Sequence, residues 1–77
     1  MRIYCITDNT DFEIGLKLAG CDGITFKEDE NIEEKIDEIL KNKEIGILVI
    51  SKKIYEKAVE KIDDIRLNKK VPLITII

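Results

Sequence analysis

Short apolar segments rich in β-branched residues alternate with segments of helical periodicity along the whole 77-residue chain. The apolar runs Ile3–Ile6, Gly23–Phe26, Ile45–Ile50 and Leu73–Ile77 have the length and composition of buried strands. Strands that alternate with helices form a parallel sheet with right-handed crossovers. We therefore predict one α/β domain over residues 1–77, with a flavodoxin-like (Rossmann-like) βαβαβαβ topology and strand order 2-1-3-4.

Polar residues mark the ends of the first two predicted helices. Thr10 and Glu13 have the spacing of a capping box at the start of the first helix. Gly20 follows its last apolar residue, which is the usual place for a left-handed helix end. Asn31 and Glu34 give a second capping signature before the next helix.

The third predicted helix is continuous from Lys52 to Asn68, with Ser51 as its cap. An apolar stripe recurs along it at helical spacing. The stripe consists of Ile54, Ala58, Ile62 and Ile65.

Composition excludes several classes of function. The net charge of −3 and the absence of a long basic run argue against nucleic-acid binding. No apolar run approaches the roughly 20 residues of a membrane span, so direct membrane insertion is not expected. The chain has no histidine, which removes His-based catalysis and His–zinc sites. Cys5 and Cys21 lack CxxC spacing and are expected to be reduced thiols, with no metal and no cofactor.

Polar residues at the carboxyl edge of the predicted sheet allow two alternative functions. A small-ligand pocket there would be lined by Thr7, Asp8, Asn9, Thr10 and Ser51, although turn and capping roles explain all five. A receiver-like phosphoacceptor domain shares the topology, and Asp8 and Asp11 lie where such domains hold magnesium. However, Ile50-Ser51-Lys52 follows the third strand where the acceptor aspartate should lie. A receiver-like or ligand-sensing regulatory module thus remains the alternative.

The end of the chain predicts an uncovered face on the sheet. The first helix should cover one face and the other two helices the opposite one, which leaves part of the third and fourth strands bare. Strand alternation places Leu73, Thr75 and Ile77 on this under-covered face, with Ile74 and Ile76 under the helices. An uncovered apolar surface usually marks an interaction site. A truncated chain whose missing tail covers the face would explain it most simply, and self-association of the short chain is a further expectation.

Five segments together resemble one protein family, although each is weak alone. They are Arg2–Asp8, Gly15–Gly23, Glu44–Ser51, Lys52–Asn68 and Val71–Ile76. In this order and spacing they resemble the globular F subunit of archaeal- and vacuolar-type (A/V-type) rotary ATPases. The resemblance covers nearly the whole chain and identifies it with the N-terminal domain of the F subunit, without the C-terminal helix that normally follows.

The resemblance implies a noncatalytic protein on the central rotor shaft, cytoplasmic and peripheral to the membrane. Such a protein binds the coiled-coil D subunit of the rotary ATPase (the shaft subunit) and helps couple ATP synthesis or hydrolysis to ion transport, including proton transport. Contact with the catalytic head would use the missing C-terminal segment. We predict that Leu73, Thr75 and Ile77, together with the turn at Cys21, form the partner-binding residues.

Overall fold

A parallel sheet with helices on both sides forms the computed structural model, which describes residues 2–28, 30–69 and 72–77. The strands are β1 (Arg2–Thr7), β2 (Asp22–Thr25), β3 (Ile45–Ile50) and β4 (Leu73–Ile76). The helices are α1 (Thr10–Leu18), α2 (Ile32–Leu40), α3 (Lys52–Lys57) and α4 (Val59–Asn68). All strand pairs are parallel in the order β2-β1-β3-β4, which confirms the predicted topology. Val71, the first residue of the last matching segment, lies outside the described residues.

The cap of helix α1 lies one residue earlier than predicted. Asn9 is the N-cap, and its Oδ1 accepts a hydrogen bond from the Phe12 N–H at 3.2 Å. Thr10 is already helical, so the capping box predicted for Thr10 and Glu13 is wrong. The physical reason is that asparagine caps a helix at least as well as threonine and comes first in the chain.

The other predicted helix ends are confirmed. Asn31 caps α2, and its Oδ1 accepts hydrogen bonds from the N–H groups of Glu33 and Glu34 at 3.0 and 3.3 Å. Gly20 has a φ of +93°, the left-handed conformation expected after α1.

The predicted third helix is broken into α3 and α4 at Ala58, which has φ −145° and ψ 42°. Neither glycine nor proline lies at the break, so the periodicity of the sequence gives no sign of it. Tertiary contacts hold the two pieces, because Ile54 and Ile62 are fully buried on either side. The Tyr55 hydroxyl also donates to Asp63 Oδ1 at 2.8 Å across the break.

The hydrophobic core lies on one side of the sheet only, between the strands and α2, α3 and α4. Its buried members include the whole predicted stripe of the third helix. They are Ile6, Phe26, Ile32, Ile36, Ile39, Ile45, Leu48, Ile50, Ile54, Ala58, Ile62 and Ile65. By contrast, α1 on the opposite side contains no buried residue. The two faces of the sheet are therefore covered very unequally.

Candidate partner-binding face

Alternate residues of the last strand are exposed on the side away from the core. Leu73 is 65% exposed and Ile77 is 50% exposed, and Thr75 between them is exposed as well. Ile74 is partly buried and packs against the core. The exposed and buried positions therefore alternate as the sequence predicted.

The neighbouring strands extend this exposed surface. Ile47 and Val49 of β3 pair in register with Leu73 and Thr75 of β4, and both are half-buried. Ile3 of β1 is 38% exposed and pairs with Ile47. We call this surface the open sheet face, and it consists of Ile3, Ile47, Val49, Leu73, Thr75 and Ile77. Every one of these side chains is uncharged.

Helix α1 covers only the other part of this side. It packs on β1 and β2. The Glu13 carboxylate of α1 makes two contacts. One oxygen accepts a hydrogen bond from the Thr25 hydroxyl at 3.0 Å, and the other lies 3.0 Å from Lys17 Nζ. The hydrogen bond from Lys17, followed by that from Thr25, lowers the pKa of Glu13. The Thr25 contact joins α1 to β2, whereas the Lys17 contact lies within the helix.

The two thiols lie at different depths beside α1. Cys5 is fully buried, and burial raises its pKa to about 11. Cys21 is half-buried after α1 and donates its backbone N–H to the Leu16 carbonyl at 2.9 Å. Both are free thiols, in agreement with the expectation from their spacing.

A depression of about 290 Å³ at the amino edge of the sheet joins Cys21 to the open sheet face. Ile3 of that face lines it together with Cys21 and with residues of the turn after α1. The full lining is Arg2, Ile3, Ala19, Gly20, Cys21 and Asp22. The structure thus brings the predicted Cys21 turn to one end of the face.

A cleft of about 400 Å³ lies at the carboxyl edge of the sheet. Of the five residues predicted to line it, four do so: Thr7, Asp8, Asn9 and Ser51. Thr10 does not, because it has turned into the first turn of α1. Sequence reasoning missed Phe12, Lys52, Lys53 and Ile77, which also line it and which come from three separate parts of the chain.

The polar groups of this cleft bond to one another. The Ser51 hydroxyl donates to Asp8 Oδ1 at 3.0 Å, and Lys53 Nζ lies 3.9 Å from Asp8 Oδ2. Thr7 Oγ1 accepts from the Asn9 N–H at 3.1 Å. The Thr7 contact is a turn role of the kind that the sequence predicted, whereas the Ser51 hydroxyl makes no capping hydrogen bond to α3 and bonds to Asp8 instead. The contacts of Asp8 tie the ends of β1 and β3 together.

Within residues 2–28, 30–69 and 72–77, no group of three or more His, Cys, Asp or Glu side chains could hold a metal ion. In the same described ranges, no helix has the length and apolar character to cross a membrane.

Comparison with known families decides between the classes of function. The family model described as ATP synthase (F/14-kDa) subunit matches residues 3–77. The chain belongs to this family. It is therefore a subunit of a rotary ATP synthase of the archaeal or vacuolar type, which confirms the resemblance drawn from the five segments. The match spans all four strands, so the open sheet face lies within the family's own domain. Neither the curated proteins nor the solved structures gave a match to the chain.

Proposed function

We propose that the protein is a noncatalytic component of the central stalk that binds the coiled-coil D subunit, the shaft subunit, through the open sheet face. One observation supports this use of the face above all others. The core side of the sheet is buried under α2, α3 and α4, whereas Leu73 of β4 and Ile77 directly after β4 are exposed on the other side. A domain of this size gains stability when such an apolar surface is covered by a partner.

A noncatalytic role agrees with the chemistry of the carboxyl-edge cleft. Asp8, the one carboxylate side chain that the described residues place in its lining, accepts from Ser51 and lies near Lys53. Phosphoryl transfer to a carboxylate would need an acceptor after β3, where Ser51 and Lys52 stand instead. We infer that the protein helps couple ATP synthesis or hydrolysis to ion transport by transmitting motion, at the cytoplasmic periphery of the membrane.

The proposal predicts that Thr75→Lys weakens binding to the recombinant shaft subunit by at least about tenfold, since a charge would be desolvated in an apolar contact. Isothermal titration calorimetry measures the affinity, and circular dichroism checks that the fold is retained. Asn68→Lys is the matched control, because it adds the same charge at an exposed position of α4, beyond the opposite face of the sheet. Equal losses in both variants, or none in either, would place the shaft elsewhere.

The regulatory alternative is tested by phosphorylation. A receiver-like module would take up phosphate from a small phosphodonor with magnesium, and Asp8→Asn would abolish the labelling. We expect no labelling of the wild-type chain, because Ser51 and Lys52 follow β3 where the acceptor carboxylate would lie.

A further inference from the structure

The carboxyl-edge cleft lies where the chain leaves two neighbouring strands in opposite directions. After β1 the chain runs through α1 to β2 on one side, and after β3 it runs through α3 and α4 to β4 on the other. The ends of β1 and β3 therefore form the two walls of a crevice. Open parallel sheets bind small molecules at such a reversal of strand order, outside the carboxyl ends of the strands.

The size and the apolar walls of the cleft fit a small molecule. Its volume of about 400 Å³ lies within the range of small-molecule sites, which is about 300–1,000 Å³. Phe12 and Ile77 both line the cleft, and both are large apolar side chains that the domain leaves exposed. A flat apolar ring packed against Phe12 would remove this surface from water.

Hydrogen bonds hold the walls of the cleft in place before any ligand binds. Ser51 immediately precedes α3, yet its hydroxyl donates across the cleft to Asp8 Oδ1 rather than to an amide of its own helix. The first amide of α3, that of Lys52, donates to the Ile77 carbonyl at 2.9 Å. These two bonds join the segments after β1, β3 and β4. Because the site is already formed, a ligand would lose little free energy in ordering it.

The charged side chains of the cleft favour an anionic group. Two lysines, Lys52 and Lys53, line it together with the Asp8 carboxylate. Asp8 accepts from Ser51 through one oxygen, and its other oxygen lies 3.9 Å from Lys53 Nζ. Among the described residues, Lys52 forms no ion pair. Its ammonium group can therefore meet the negative charge of a ligand without breaking an existing contact.

We propose that the carboxyl-edge cleft binds a small organic anion that carries an aromatic ring and has the size of a mononucleotide. The anionic group lies at Lys52 and Lys53, and the ring packs against Phe12 and Ile77. This activity is additional to the proposed stalk function and does not depend on which partner covers the open sheet face.

Adenosine monophosphate without added metal is the probe, because it joins one aromatic base to one phosphate. Titration of the isotope-labelled chain, followed by NMR, should give saturable shifts of the amides of residues 7–12 and 51–53. The expected Kd is below about 5 mM for a cleft of this kind. Adenosine alone and phosphate alone should each bind at least about fivefold more weakly, since each makes only one of the two contacts.

Charge substitutions should change the affinity for this probe in opposite directions. Lys52→Gln should weaken binding by at least about fivefold. Asp8→Asn should strengthen it by about twofold or more, because it removes a like charge and keeps the oxygen that accepts from Ser51. Phe12→Leu keeps apolar bulk without the ring and should weaken binding by about threefold. Lys41→Gln is the control, since it removes the same charge at an exposed position after α2.

Two outcomes would overturn the site. One is the absence of shifts with adenosine monophosphate up to about 10 mM. The other is nonspecific attraction to surface charge, which would appear as shifts spread over the exposed lysines of α3 and α4 and as equal losses in Lys52→Gln and Lys41→Gln. Neither outcome bears on the shaft subunit, whose binding Thr75→Lys tests separately.

Discussion

Three glycines of this small domain are under different constraints. Gly20 has a left-handed backbone, so any side chain there is strained regardless of space. Gly23 lies in β2 against β1, where an added Cβ would be 2.8 Å from the Cys5 carbonyl oxygen. Gly15 has open space around it. Replacing glycine by alanine should therefore raise the free energy of unfolding at one of these positions and lower it at another.

Gly23→Ala should lower the free energy of unfolding by about 1–3 kcal/mol, because the new methyl group meets backbone that pairs β1 with β2. Gly15→Ala is the matched control and should raise the free energy of unfolding by up to about 1 kcal/mol. Urea denaturation followed by circular dichroism measures both. Stabilisation by Gly23→Ala would contradict the close approach of β2 to β1 at this position.

At the scale of the element, one side-chain hydrogen bond crosses the break between α3 and α4, from the Tyr55 hydroxyl to Asp63. The hydrogen bond from Tyr55 to the Asp63 carboxylate raises the pKa of the tyrosine, with smaller effects from burial and from the charge of Asp63. Because the folded-state pKa is raised, this stabilising contribution is complete below about pH 10 and is lost as the pH rises through the folded-state pKa.

Asp63→Asn should lower the pKa of Tyr55 towards its ordinary value, because the charge that opposes the phenolate is gone. The chain has two tyrosines, so a Tyr4→Phe background leaves Tyr55 as the only phenol for ultraviolet absorbance titration. Above about pH 10, the Asp63→Asn domain should lose stability less steeply than its parent. An unchanged titration curve would contradict the bond across the break.

Elements differ in how far the sequence determines them. The strands and their order were predictable, because runs such as Ile45–Ile50 are too short and too β-branched to be helices. The break at Ala58 was not predictable, since nothing local marks it and the contacts that hold it are tertiary. The cap at Asn9 was missed because Thr10 and Glu13 offered a competing signature of equal local quality.

The open sheet face was predictable only where it follows from alternation along one strand. Leu73, Thr75 and Ile77 were assigned to the open side because strand residues alternate between faces. Phe12 was missed as a residue of the carboxyl-edge cleft, because it meets Ser51 and Ile77 there from a part of the chain far away in sequence.

At the scale of the whole molecule, the two faces of the sheet are covered unequally. Substitution by a charged residue should therefore have different effects on stability at neighbouring residues of β4. Ile74→Lys should lower the free energy of unfolding by at least about 2 kcal/mol, since Ile74 packs against the core. Thr75→Lys should change it by less than about 0.5 kcal/mol, because Thr75 is exposed. Urea denaturation of the two variants compares the faces directly, and the reverse ranking would show that they had been exchanged.

A helix without a buried side chain is the part of a domain that opens most readily, and α1 is such a helix. Its amides can exchange with solvent through local opening while the core under α2 and α4 stays closed. A partner in contact with α1 binds only its closed form and so raises the free energy of that opening. In that case α1 would be rigid in the assembled stalk and would open locally in the free protein. The order of this one helix would then depend on assembly.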